Sequence, residues 1–205
     1  MGLYEKYLLP RLMHLSMKNK EASRHRKRII PAARGRVLEV GVGSGLNLPF
    51  YGSEVRSVTG VDPSAELLAM ARRHAPDLPF EVEFHARGAE RLPFDDRSFD
   101  SVVSTWTLCT IPRAGEALEE LRRVLKPDGE LIFIEHGLSP DTRTAHWQSR
   151  LNPLWNRCAG GCHLNRPIDR MIRAAGFRIK RLETGYLIQG PRPITFHFQG
   201  RAGPG

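Results

Sequence analysis

Glu39 sits in the apolar run Val37-Leu38-Glu39-Val40, and three glycines spaced two apart, Gly41, Gly43 and Gly45, follow at once. Without a Cβ, glycine takes positive φ and lets a ligand lie directly against the backbone. A carboxylate in an apolar strand needs partners, and a bound ligand's cation or hydroxyls can supply them. Asp62 closes a second apolar run, Val55 to Asp62, seventeen residues past Gly45. A doubly wound α/β fold puts the acid that takes ribose hydroxyls at that distance. The local alternative is a helix start, because Asp62-Pro63-Ser64 precedes a helical pattern over 65–74 and Ser64 can cap it. The two roles are compatible, and the glycine bend with its spaced acid is far more specific than either alone.

A second group offers reactive side chains. His136 follows the run Glu130 to Glu135 and is the candidate general base, since a thiol of pKa about 8.5 is only slightly ionised at neutral pH. The structural alternative is a histidine that merely closes a strand. Cys109, Cys158 and Cys162, the last followed by His163, offer three soft ligands and an imidazole. Structural zinc wants four ligands in paired spacing. The pattern therefore assigns no metal, and capture of a thiophile such as arsenite by the three cysteines is the variant beside it. Cys109 reads foremost as a small buried hydrophobe. Trp147, Trp155 and His163 fit the walls of an apolar acceptor pocket as well as they fit plain packing.

Holding these residues in place requires a sheet with helices between its strands. Residues 3–20 carry Leu3, Tyr4, Tyr7, Leu8, Leu12 and Leu15 at steps of three and four, an amphipathic helix that Pro10 interrupts. A basic helix follows from Lys18 to Ile30, ending near Pro31. Strands are expected at Val37–Val40, Val55–Asp62, Phe80–His85, over the run ending at Ser104, and at Glu130–Glu135. Helices are expected over 65–74, from Ala114 to Leu125, and over 166–175, where Gly176 stops the last one. Two final strands, Phe177–Ile188 and Pro193–Arg201, turn through Gln189-Gly190-Pro191. The expected fold is α/β: a doubly wound, mostly parallel seven-stranded sheet with a C-terminal antiparallel hairpin. It divides into an N-terminal basic helical lid, 1–34, and one catalytic domain, 35–205.

Two nucleotide-loop patterns fail at the glycine bend. The dinucleotide fingerprint would put glycine at position 46, where the chain has Leu46, and the Gly-Lys-Ser/Thr of a phosphate loop is missing. What stands, Glu39-Val40-Gly41-Val42-Gly43-Ser44-Gly45, resembles motif I of the class I S-adenosylmethionine (SAM) methyltransferases. The turns Arg87-Gly88-Ala89-Glu90 and Leu125-Lys126-Pro127-Asp128-Gly129 are similar to the corresponding turns of that class, so that 36–135 looks like a type 11 small-molecule methyltransferase domain. Phe133-Ile134-Glu135-His136, the Trp147/Trp155 segment and Gly161-Cys162-His163-Leu164-Asn165-Arg166 resemble the thiol S-methyltransferase-like branch. The resemblance implies SAM as cofactor and S-adenosylhomocysteine as product. It implies cofactor contacts at Glu39, Gly41, Gly43, Gly45, Asn47, Asp62, Pro63, Gly88, Ala89, Glu90 and Thr105. The class often carries an acid where this chain has Gly88, so adenine recognition would fall to backbone amides. By topology, Trp106 and Cys109 after the fourth strand would face the acceptor and His136 after the fifth would act as base, with Trp147, Trp155 and His163 as candidate walls of the acceptor pocket. The best expectation is S-methylation of a small thiol. N-methylation of an amine or phospholipid headgroup, and a non-catalytic SAM-binding module, are the alternatives.

Composition excludes several other classes. The 205 residues suit one domain of ordinary soluble composition, without a bilayer-spanning run or an uninterrupted signal-peptide core. Three cysteines are an odd count that suits a reducing cytoplasm. The net charge of +9 is segregated: residues 1–34 carry +7, residues 140–205 carry +8, and the segment between is net acidic. A basic surface invites nucleic acid. Yet Ser104-Thr105-Trp106-Thr107 is not the Asn/Asp-Pro-Pro-Tyr/Phe tetrapeptide of base-methylating enzymes, and the basic ends lack the interleaved aromatic pattern of a strand-binding surface. The expected partner is a small methyl acceptor and not nucleic acid, with weak peripheral membrane contact through the N-terminal helix as the alternative to a lid.

Overall fold

The computed structural model describes residues 9–205. Expected apolar positions Leu3, Tyr4, Tyr7 and Leu8 lie outside the described residues. Two helices open the described chain, α1 (Leu9–Met17) and α2 (Lys20–Ile29). The break between them falls at Asn19, whose side chain accepts from the Ala22 amide at 2.8 Å; the residues that would show an interruption at Pro10 lie outside the described residues. A short polar residue that satisfies an orphan amide starts a new helix.

Seven strands follow: β1 (Gly35–Val40), β2 (Val55–Asp62), β3 (Glu81–Ala86), β4 (Phe99–Thr105), β5 (Leu125–His136), β6 (Phe177–Tyr186) and β7 (Phe196–Pro204). Their spatial order is β3-β2-β1-β4-β5-β7-β6, with β1 to β5 parallel and β7 antiparallel to both β5 and β6. The expected sheet and its terminal hairpin are present. Chain order reverses between β1 and β4, and a ligand crevice opens outside the carboxyl ends of strands at such a point.

Side-chain alternation divides the core into two layers. Leu38 and Val40 of β1, with Leu131 and Phe133 of β5, pack on α4 (Ala114–Val124) and α6 (Ile168–Ala174). Val37, Val103, Ile132 and Ile134 face the other way, against Ile29, Ile30, Leu48 and Tyr51. Ser64 caps α3 (Ala65–Ala71) by accepting from the Leu67 amide at 3.2 Å. The expected turn at 126–129 falls inside β5, where pairing steps from Phe99↔Leu125 to Ser101↔Glu130 across a register shift.

One element was absent from the expectations: α5 (Thr142–Cys158), a helix of 17 residues with Pro153 inside it. Pro153, a residue that ordinarily ends a helix, hid it. Its buried positions are the polar Thr144 and Gln148, so the usual apolar stripe does not face inward.

Candidate active site

Gly41 and Gly43 have φ of +67° and +53° and carry the chain from β1 across the sheet's end. A Cβ on Gly41 would collide with Thr107, while one on Gly43 would meet nothing nearer than a carbonyl 3.8 Å away. Gly41 is therefore needed by the protein's own packing, and Gly43 leaves space open beside the backbone. The Gly43 amide donates to Asp62 Oδ2 at 3.0 Å and the Ser64 amide to Asp62 Oδ1 at 2.8 Å. Burial holds the Asp62 carboxyl above its ordinary range despite these two donors. Each oxygen retains a lone pair for a further donor. Asp62 thus closes β2 and ties the bend to the start of α3, where Ser64 supplies the cap.

Glu39 is 1% exposed, and its partners are protein side chains. Asn47 Nδ2 donates to Oε1 at 2.8 Å and Tyr51 Oη to Oε2 at 2.7 Å. Burial pushes its carboxyl up to about 7, with Tyr51, Asn47 and Arg26 pulling it back. Asn47 also donates to Thr105 Oγ1 at 2.9 Å and accepts from Arg26 Nε at 3.0 Å. Arg26 was missed from sequence. It occupies the middle of the inner stripe Ala22, Arg26, Ile29 of α2, where the period calls for an apolar residue, and that mismatch was the available signal. Its guanidinium lies 4.8 Å over the Trp106 ring and donates to the Met17 carbonyl. Burial pushes it down to about 10, opposed by Glu39. His14 Nδ1, on α1, lies 2.7 Å from Ser44 Oγ in the bend itself.

Beyond β4 the chain turns sharply. Trp106 holds φ +52°, a conformation that non-glycine residues adopt at a cost. Glu135, fully buried on β5, organises this turn by accepting from Ser104 Oγ at 2.7 Å, from the Thr107 amide at 3.0 Å and from the Cys109 amide at 3.3 Å. Burial pushes its carboxyl up to about 7 against those donors. A carboxylate in the apolar run of β5 carried the same signal as Glu39, and only Glu39 was read.

His136, 5% exposed at the end of β5, meets Cys162 and His197. Its Nδ1 lies 3.8 Å from Cys162 Sγ, and its ring stands edge-on to His197 at 5.6 Å. Burial pushes His197 down to about 4 and keeps that ring neutral. The Cys109 thiol donates to Cys162, which drives the Cys109 thiol up and, with His136, the Cys162 thiol down. His136 Nε2 and Trp106 Nε1 are buried without a hydrogen-bond partner among the described residues, and Trp155 turns toward Cys162. Buried donors and acceptors left open cost free energy unless a ligand engages them.

Several expected site residues are thus brought together at the carboxyl ends of β1, β2, β4 and β5. His163 joins them through its amide, which donates to the Cys109 carbonyl at 2.8 Å. Ala89 is buried in the adjoining loop, with Gly88 and Glu90 half-buried on either side of it and Pro63 exposed beside Asp62. Trp147 stands apart, 49% exposed on the outer side of α5. A hollow of about 510 Å³ lined by Arg34, Glu54, Arg56 and Asp100 lies at the opposite end of the strands. Lys126, 2.6 Å from Asp100, neutralises it from within the fold. Among the described residues no group of three His, Cys, Asp or Glu side chains converges on a metal position.

A glycine bend at the topological switch point, an acid ending the next strand and buried, unpartnered ring nitrogens beyond β4 and β5 fit a nucleotide-binding α/β fold. Residues 38–133 match the family described as "Methyltransferase domain". The rat thiol S-methyltransferase TMT1B is 34% identical over 174 residues, covering 81% of this chain and 69% of its own. The phosphatidylethanolamine N-methyltransferase of Cereibacter sphaeroides is 39% identical over 109 residues, 52% of this chain and 53% of its own length. The crystal structure of the Bacillus subtilis YcgJ protein superposes with a TM-score of 0.63 at 23% identity, covering 86% of this chain and 71% of that one. The chain belongs to the SAM-dependent methyltransferases.

Proposed function

We propose that this enzyme methylates a small thiol, with His136 as the general base. The observation that carries this reading is the open, buried Nε2 of His136. With Nδ1 directed to the Cys162 sulfur 3.8 Å away, the ring keeps its proton on Nδ1 and offers the Nε2 lone pair to the acceptor. Cys162, held toward thiolate by Cys109 and His136, then stabilises the imidazolium that forms, as a carboxylate does in a Ser-His-Asp arrangement. SAM supplies a methyl group on a sulfonium, which the acceptor sulfur takes as the methyl–sulfonium bond breaks. The chain's remaining tasks are orientation and exclusion of water. Similarity to rat TMT1B along four-fifths of the chain supports a thiol as acceptor. The second reading, a phospholipid amine, is favoured by the 39% identity to the bacterial phosphatidylethanolamine enzyme, which spans half of this chain.

The residues fit the cofactor. The open side of Gly43 admits it, Asp62 retains lone pairs for ribose hydroxyls, and the amides at 88–90 are suited to adenine. Arg26 is the buried cation beside the bend, and we assign it to the methionyl carboxylate. Helices α1 and α2, which reach the bend through His14 and Arg26, act in this reading as the lid over the cofactor. For Arg26→Gln the expected loss of SAM affinity is on the order of 10–100-fold, the value of a charge-assisted hydrogen bond. Affinity for 5′-methylthioadenosine, which lacks the carboxylate, should change far less, and equal losses for both ligands would refute the assignment.

Thiols, amines and phosphatidylethanolamine offered with labelled SAM test the acceptor. His136→Gln should lower kcat for thiols by about 10²–10⁴ while cofactor affinity holds. Unchanged turnover would remove His136 from the mechanism, and turnover of the phospholipid alone would replace the thiol reading.

A further inference from the structure

Helix α5 is built inside out. Its fully buried positions, Thr144 and Gln148, are polar: Gln148 accepts from the Ser139 amide at 2.9 Å and donates to the Gly137 and Pro193 carbonyls. One turn on, Asn152 accepts from the Leu164 amide at 2.8 Å. The outward face is apolar. Trp147, Leu151 and Leu154 are 49%, 38% and 67% exposed, and their steps of four and three place them on one stripe. Arg143, Arg150 and Arg157, all exposed, recur every seven residues along the edge of that stripe, and the helix contains no acid. A globular helix normally does the reverse.

We propose that this face of α5 docks on an anionic phospholipid bilayer. Trp and Leu suit the boundary between headgroups and acyl chains, and guanidinium groups flanking them meet lipid phosphates. A row of three cations, with Asp141 at the N-cap as the one acid adjoining the helix, matches a negative surface. It opposes a symmetric contact with a second copy, which would set arginines against arginines. Among the described residues no helix is long and apolar enough to cross a membrane, so contact would be along the surface. Gln148 ties the helix to Gly137, the residue after His136, so the docked helix adjoins the end of the sheet that carries His136. The proposal rests on the surface of α5 and stands independently of the thiol reading.

Sedimentation with vesicles of phosphatidylcholine alone and of phosphatidylcholine with phosphatidylglycerol tests it. The enzyme should bind the anionic vesicles preferentially. Arg143→Glu/Arg150→Glu/Arg157→Glu should weaken that binding on the order of 100-fold, and Leu151→Ser/Leu154→Ser by about tenfold or more. Both variants should retain the circular dichroism and SAM affinity of the parent, which separates docking from folding. A blue shift of tryptophan emission on adding vesicles should disappear in Trp147→Phe. Binding unchanged in the α5 variants overturns the proposal. So does binding abolished only by Leu12→Ser/Leu15→Ser on α1, or a dimer that Leu151→Ser/Leu154→Ser dissociates.

Discussion

Two buried glutamates of this enzyme make a controlled pair. Glu39 accepts from two side chains, Asn47 and Tyr51; Glu135 accepts from Ser104 and from two backbone amides. A glutamine at 39 keeps its network, because the tyrosine hydroxyl can accept as well as donate. A glutamine at 135 turns an NH₂ toward fixed N–H donors, and Glu135→Gln should cost about 1–3 kcal/mol in denaturant unfolding. Burial raises both carboxyls to about 7 from an ordinary 4.5. Between those values the folded chain holds protons that the unfolded chain has lost. Each carboxyl's contribution to stability is therefore complete below pH 4.5, declines as pH rises through the window and levels off above about 7. Glu39→Gln should flatten part of that slope in melts recorded across the window, against the background of Arg26 and Asp62 nearby; an unaltered slope would show that Glu39 is ionised throughout.

At the scale of elements, the glycine bend separates packing from ligand contact. Gly41→Ala places a methyl group against Thr107 at a positive φ, so the bend must shift, and the variant should fail both to fold normally and to bind SAM. Gly43→Ala meets open space and should cost only the left-handed strain, about 1–2 kcal/mol. Its cofactor affinity should fall by about tenfold or more if, as we propose, the cofactor lies on that open side of the chain. Calorimetric titration with S-adenosylhomocysteine beside a melt of the ligand-free protein distinguishes the two losses. A Gly43→Ala variant that binds normally would place the cofactor elsewhere on the bend.

For the molecule as a whole, the site spans segments far apart in sequence, and ligand binding should tie them together. S-adenosylhomocysteine at a hundred times its Kd should stabilise the fold by about 2.7 kcal/mol, a rise in Tm of about 5–10 °C for a domain of this size. Arg26→Gln and Gly43→Ala should each show a smaller rise at the same concentration. No shift with the native chain would mean that the crevice does not take this nucleoside. Charge follows the same division, with the basic N-terminal helices and the basic segment from α5 onward flanking a net acidic centre.

The sequence by itself determined the sheet, the bend and the acid beside it. Those depend on local requirements: alternation along a strand, positive φ at glycine, a carboxylate at a strand's end. Residues 36–135 were legible for that reason, and so were Asp62 and His136 as candidates. Tertiary structure alone decided the partners. Arg26 meets Asn47 from 21 residues away, Cys162 reaches His136 across 26, and Glu135 holds amides 26 and 28 residues earlier in the chain. No local pattern encodes such pairings. Helix α5 escaped notice because its fully buried positions are polar, and a period argument assumes that the apolar stripe points inward. Which face of a helix is buried depends on what packs against it, and here hydrogen bonds from Gln148 and Asn152 made that choice.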